Sequence, residues 1–150
     1  MANNASDYLE KEILNHIFGN NANAGNSSTS YSAPATNSIY VSLHTTAGPL
    51  DDNSATATEI TLGSYARSNA SNNLTWSVSQ AGGVTTATND QAIAFPQATA
   101  NYDGQVTHIG IYDASSAGSL LFHGALTVAK TVTTGDTFQI NAGALTITLE

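Results

Sequence analysis

From residue 39 onward, apolar and polar positions alternate with a period of two, the pattern of strands that bury one face. Ile39, Val41 and Leu43 alternate with Tyr40, Ser42 and His44, and Leu74, Trp76 and Val78 with Thr75 and Ser77. Further on, Thr107, Ile109 and Ile111 alternate with His108 and Gly110, and Leu145, Ile147 and Leu149 with Thr146 and Thr148. Turn formers punctuate these runs at Gly48-Pro49, Gly82-Gly83, Gly118, Gly135-Asp136 and Gly143. The start of the chain has a different period. Leu9, Ile13 and Ile17, with Leu14 and Phe18, form a stripe at i, i+4 spacing that predicts a helix within residues 6 to 19. Ser6 suits its N-cap, Asp7 and Glu10 favour its positive end, His16 falls in its last turn and Gly19 stops it. Residues 20 to 37 are nearly all Asn, Ser, Ala, Thr and Gly and read as a polar tether. The pattern therefore predicts a mainly β chain, an antiparallel β-sandwich or jelly-roll-like barrel with one N-terminal α-helix. Residues 1–37 supply the helix and tether, and residues 38–150 the β domain, without internal repeat.

Composition changes this picture in one respect. Of the 150 residues 9% are charged and 41% hydrophobic, against about 25% charged in ordinary soluble domains. Neutral polar side chains must then cover the surface, which suits extensive contact with neighbours; the plainer reading is a soluble β domain with Thr-rich strands. The net charge is −8, with Lys11, Arg67 and Lys130 the three cations, so no basic patch for nucleic acid is expected. The absence of cysteine removes disulfides and thiolate chemistry. Without a basic, apolar leader or a run of 18 apolar residues, the expectation is synthesis in the cytoplasm and no membrane partner.

Catalytic motifs are missing: there is no G-x-S-x-G, glycine-rich phosphate loop or H-E-x-x-H. The close pair Asp51-Asp52 follows Gly48-Pro49-Leu50 in a polar loop, where solvated turn acids are the plain explanation. A glycosidase pair, or calcium held with Asn53, is the sharper alternative. Two histidines are candidates for a cross-strand pair. The segments 106–112 and 119–127 flank a turn-rich loop, Asp113 to Gly118, and a hairpin in which Asp113 faces Gly118 sets His108 opposite His123. The same register sets Ile109 opposite Phe122 and Ile111 opposite Leu120. Stacking or hydrogen bonding of the two rings is expected rather than zinc, which wants four ligands. No catalytic residue, metal or cofactor is expected.

The stretch Val106-Thr-His-Ile-Gly-Ile-Tyr-Asp-Ala-Ser115, then Gly118-Ser-Leu-Leu-Phe-His-Gly-Ala-Leu-Thr127, Lys130-Thr-Val and Gly135 to Leu149, resembles a family of small tailed-phage virion proteins. Leu9 to Gly19, Tyr40 to Thr45, Tyr65-Ala-Arg67 and Ala92 to Pro96 agree with it in order. Members are labelled head decoration or cement proteins, or tail-fibre-like. The resemblance departs at Tyr102-Asp103-Gly104-Gln105, where members often carry Trp-Gly, and in the longer tether. It implies a non-enzymatic structural protein of the virion. The leading expectation is a capsid decoration or cement protein, a homotrimer that stabilises the head by binding major capsid protein. The alternative is a tail or tail-fibre component that binds host-surface sugars through Tyr31, Tyr40 and Trp76; a glycan-degrading enzyme is the third reading. Leu9, Ile13 and Ile17 are the expected partner contact, unless the helix covers its own sheet. Arg67 is expected to pair with an acid such as Asp113, or with a partner's carboxylate.

Overall fold

A computed structural model of the chain describes residues 13, 14, 17, 39–45, 58–70 and 76–149. Among these the regular elements are strands: β1 Tyr40–His44, β2 Ser68–Asn69, β3 Trp76–Ala81, β4 Val84–Asn89, β5 Ile93–Ala94, β6 Val106–Tyr112, β7 Leu120–Lys130, β8 Gln139–Ile140 and β9 Thr146–Leu149. The pairings β1 with β2, β1 with β6, β3 with β4, β4 with β9 and β6 with β7 are all antiparallel, as the alternation predicts. The helix expected within residues 6 to 19 lies mostly outside the described residues, Leu9 included. Ile13, Leu14 and Ile17 have helical backbone; Leu14 is fully buried, Ile17 half-buried and Ile13 39% exposed.

The chain divides into two compact units, one of Met1–Asn37, Ser71–Ala92 and Ile140–Glu150, the other of Ser38–Ala70 and Ile93–Gln139. Residues 38–150, which read as one stretch in sequence, contribute to both.

The second unit holds a four-stranded sheet in the order β2-β1-β6-β7. On one face Val41 pairs with Ile111 and Leu43 with Ile109, all buried, each worth about 1.5 to 3 kcal/mol of apolar burial. The opposite face of the same strands, Ser42, His44, Gly110 and Tyr112, is buried too. The sequence pattern marks that face as the solvent side. It is covered instead: Ser42 and His44 satisfy their polar atoms within the unit, and the Tyr112 ring lies between Arg67 and His44. Beside the sheet lies an aromatic cluster: Tyr65 stacks on Phe95 at 6.2 Å and meets the Tyr102 edge at 6.0 Å, and Phe95 meets Phe138 edge-on at 5.6 Å. Tyr102 and Asp103, in the segment that departs from the family pattern, both have work to do. Tyr102 is buried in this cluster, and the Asp103 carboxylate accepts a 2.6 Å hydrogen bond from the Thr61 hydroxyl. β5 and β8 form a separate two-stranded sheet.

The β6–β7 hairpin has a different register from the expected one. Gly110 faces His123, His108 faces Ala125 and Ile111 faces Phe122, so His108 and His123 are not directly opposed. The cause is the loop. The Asp113 N–H donates to Ser119 O at 3.2 Å, one residue beyond Gly118, and a bulge between Ile111 and Tyr112 adds the second residue of slip. A two-residue slip keeps every side chain on its predicted face, so the hydrophobic pattern alone cannot detect it. Across its other edge β6 sets His108 opposite His44.

The first unit contains a three-stranded sheet in the order β3-β4-β9. Gly82 and Gly83, at φ +62° and +85°, make the two-residue turn between β3 and β4, a conformation that favours glycine at both positions. Val78, Ala87 and Ile147 share one face; Ser77, Thr88 and Thr146, with Ser79, Thr86 and Thr148, share the other. Asn89 closes this sheet from within. Fully buried, its amide nitrogen donates to Gln91 O and Asn141 O, and its amide oxygen accepts the Leu145 N–H at 2.8 Å.

Candidate functional site

The densest polar construction among the described residues centres on Arg67, just before β2. Its side chain is 3% exposed and that of Glu59 12%. Nε and Nη2 donate to the two carboxylate oxygens of Glu59 at 2.8 and 2.7 Å, a bidentate pair. Nη1 donates to Ala114 O at 2.9 Å and Ala117 O at 2.8 Å, inside the loop that joins β6 to β7. The guanidinium carbon lies 3.6 Å from the Tyr112 ring centroid, in cation–π contact. Glu59 Oε1 also accepts the Tyr65 hydroxyl at 2.8 Å, and that hydroxyl oxygen in turn accepts the Leu43 N–H at 3.0 Å. One continuous path of hydrogen bonds thus runs from the β1 backbone through Tyr65, Glu59 and Arg67 to the hairpin loop. The internal partner of Arg67 is Glu59 rather than Asp113, whose carboxylate instead accepts the Ser119 N–H at 2.7 Å and tightens the same loop. Burial opposes the charge of Arg67, but hydrogen bonds and attraction to Glu59 outweigh it and hold the guanidinium more firmly protonated. Burial, then the negative charge of Glu59, raise the Tyr65 hydroxyl, so it remains a donor.

Beneath Tyr112 lies the second layer. His44 is fully buried and stacks on Tyr112 with ring centroids 6.2 Å apart and planes at 17°. Its Nε2 is 2.8 Å from Ser42 Oγ and its Nδ1 3.0 Å from Thr58 Oγ1. Because Ser42 donates its proton to Gly110 O at 3.2 Å, it accepts from Nε2–H, and Nδ1 accepts from Thr58. Burial pushes the His44 pKa down to about 4; Glu59 opposes this, while Arg67, His108 and His123 add to it. Gly110 has to be glycine here, since a Cβ would stand 2.7 Å from Ser42 Oγ and 3.0 Å from His44 Nε2. A Ser–His contact of this length invites a nucleophile reading. Yet Ser42 is fully buried and its proton points at a carbonyl, so the arrangement is suited to holding strands rather than to attacking a substrate.

The other candidates fall elsewhere. His108 is half-buried, with Nδ1 2.8 Å from Thr107 Oγ1, and His123 is exposed. Trp76, expected as an exposed sugar platform, is 1% exposed and belongs to a core; its place on β3 opposite Asn89 turns it inward. Tyr40 is half-buried. Tyr31, Asp51, Asp52 and Asn53 lie outside the described residues. Among the described residues no group of His, Asp and Glu is placed to hold a metal, and no helix is long and apolar enough to cross a membrane. Sequence reasoning missed Glu59, Tyr65 and His44. A signal for the first existed: Glu59 is the sole acid between Asp52 and Asp90, eight residues from one of three cations.

No curated protein matches the chain. A family model does, over residues 4–148, and its description is Podophage GP4 fiber I protein gp80. The match spans the Arg67 layer, the tether, strands β1 to β8 and most of β9, and it supports a phage virion structural protein: the chain belongs to this fibre protein family.

Proposed function

We propose that the chain is a non-catalytic structural subunit of a phage tail fibre, built to present a rigid β scaffold to other virion proteins. The match to a family named for a fibre protein over residues 4–148 carries this reading and sets it ahead of the head-decoration role that the sequence first suggested. The Arg67 layer supports it as well. An exposed hairpin loop is tied by charge-assisted bonds into the sheet's interior, so the loop meets a partner already ordered and loses little entropy on contact. The buried polar groups serve cohesion, which favours a structural over an enzymatic role. An antiparallel sandwich or jelly-roll-like architecture, association with sister copies, and the absence of nucleic-acid and membrane partners belong to the same proposal.

The decoration reading is favoured by one observation: the sequence has no long fibrous repeat. Quantitative mass spectrometry of purified particles, with gold-labelled antibody, separates the two. Roughly three to a few dozen copies with label on the tail support the fibre; hundreds of copies with label over the head would overturn it.

A further inference from the structure

We infer that the tip of the β6–β7 hairpin, residues 114–118, is the surface by which this chain docks on another virion protein, and that it recognises hydrogen-bond acceptor oxygens on that partner. The inference rests on the virion scaffold reading above, whichever part of the particle carries the chain. The hairpin is closed at its base by its own residues: the Asp113 N–H donates to Ser119 O at 3.2 Å, and the Ser119 N–H to the Asp113 carboxylate at 2.7 Å. Beyond that closure the tip is gripped a second time, from inside, by Arg67 on the carbonyls of Ala114 and Ala117. A guanidinium whose side chain is 3% exposed thus shapes a loop whose residues 115–118 are all exposed. Ala117 and Gly118 both take left-handed backbone, at φ +51° and +73°. Strain kept by an alanine in an exposed loop marks a shape held for recognition.

Peptide planarity fixes what the tip shows. In a trans peptide the N–H points opposite to the C=O of the residue before it. With the Ala114 and Ala117 carbonyls turned in to Arg67, the Ser115 and Gly118 N–H groups point away from it, on the same exposed loop as the hydroxyls of Ser115 and Ser116. The tip therefore offers donors on a fixed frame, with the Ser and Gly chemistry that gives adaptable hydrogen bonding at recognition surfaces. Its complement is acceptor oxygen. A chain at −8 repels a strongly acidic partner, which leaves neutral acceptors, main-chain carbonyls above all. Residues 113–119 include no aromatic ring on which a sugar could stack, so the occupant is a protein rather than a glycan.

Competition for places in the particle tests this. A tagged full-length variant is expressed beside the wild-type chain during phage growth, and mass spectrometry compares their ratio in purified particles with that in the cells. Ser116→Glu, which sets a negative charge against acceptor oxygens, should fall about tenfold or more. Ser116→Lys, and the control Ser79→Glu at an exposed position on β3, should enter like wild type. Arg67→Lys keeps the charge but not the fork that holds Glu59 and two carbonyls together, and should be under-represented at unchanged circular dichroism. If it fails to fold, the two Ser116 variants carry the test. Indifference to both Ser116 changes would overturn the inference and leave the loop as no more than a partner for Arg67. A loss with lysine at least as great as with glutamate would overturn the acceptor chemistry. Ser116→Glu particles of normal composition that adsorb to fewer host cells would put a glycan on the tip. A dimer of the free chain that the same change dissociates would put a second copy there, and either result overturns the inference. Gold labelling locates the chain on tail or head in every case, so failure here is distinct from failure of the fibre reading.

Discussion

The two units solve the same problem by different chemistry. Each must fasten a loop to the end of a sheet. In the β3-β4-β9 unit the fastener is a neutral amide: Asn89 satisfies its oxygen and both hydrogens on backbone groups of residues 91, 141 and 145. In the β2-β1-β6-β7 unit it is an ion pair, Arg67 with Glu59, backed by a buried imidazole. A neutral fastener costs little to desolvate and does not respond to acid. The charged one holds more groups at once, and removing one member leaves the other as an uncompensated charge. Stability of the two units should therefore respond differently to mutation and to pH.

The largest effect should come from splitting the ion pair. Glu59→Ala leaves the Arg67 guanidinium buried beside Tyr112 without its carboxylate, and should destabilise the protein by about 3 to 5 kcal/mol in urea unfolding. Adding Arg67→Met should restore much of that loss, because the buried charge is gone. If the double variant is as unstable as the single one, the pair matters through packing and not through charge.

Acid comes next. The His44 pKa is held down to about 4 in the folded chain against 6.5 unfolded. The unfolded chain therefore binds the proton first as pH falls. The stabilisation is complete above pH 6.5 and is lost progressively between 6.5 and 4, up to roughly 3 kcal/mol. Protection factors of β1 and β6 amides, corrected for the intrinsic exchange rate at each pH, should fall across that window, while those of β3 and β4 amides should not. His44→Asn should flatten the β1 and β6 response; an unchanged profile would assign the acid sensitivity to another group. Asn89→Ala is the reciprocal test. It strips partners from the Leu145 N–H and from two carbonyls, and should cost about 1 to 3 kcal/mol with no dependence on pH between 4 and 7.

How much of this could be read in the sequence follows from the same contrast. Alternation at Val41/Leu43, Ile109/Ile111 and Ile147/Leu149 located β1, β6 and β9, and Gly82-Gly83 marked a true hairpin, because periodicity and turn chemistry are local. Burial of Ser42, His44 and Tyr112 was invisible, since what covers that face comes from residues 58 to 67, distant in sequence from β6. The His108/His123 pairing failed for a related reason. A two-residue slip leaves the hydrophobic pattern intact, and only the Asp113–Ser119 contact and the bulge reveal it. Arg67 was singled out correctly as a rare cation, but its partner was sought in the hairpin loop. The loop does meet Arg67, through the carbonyls of Ala114 and Ala117, which carry no side-chain signature.

The smallest effect sharpens the comparison at the backbone. Among the described residues, the β3-β4-β9 unit places glycine at each left-handed position, Gly82, Gly83 and Gly143, whereas the other unit also holds Ser64 and Ala117 there, at φ +63° and +51°. Ala117 tolerates that conformation because Arg67 fastens its carbonyl. Relief of a left-handed alanine is worth about 1 kcal/mol, and the extra unfolded freedom of glycine takes back roughly 0.5 to 1 kcal/mol. Ala117→Gly should therefore leave stability unchanged or raise it by less than about 1 kcal/mol, while Gly83→Ala, the opposite exchange, should lower it by about 1 kcal/mol. Matched urea titrations of the two variants read the difference in sign. Equal losses at both positions would mean that Ala117 is not strained, and that the Arg67 bond to its carbonyl holds a loop that would adopt this shape unaided.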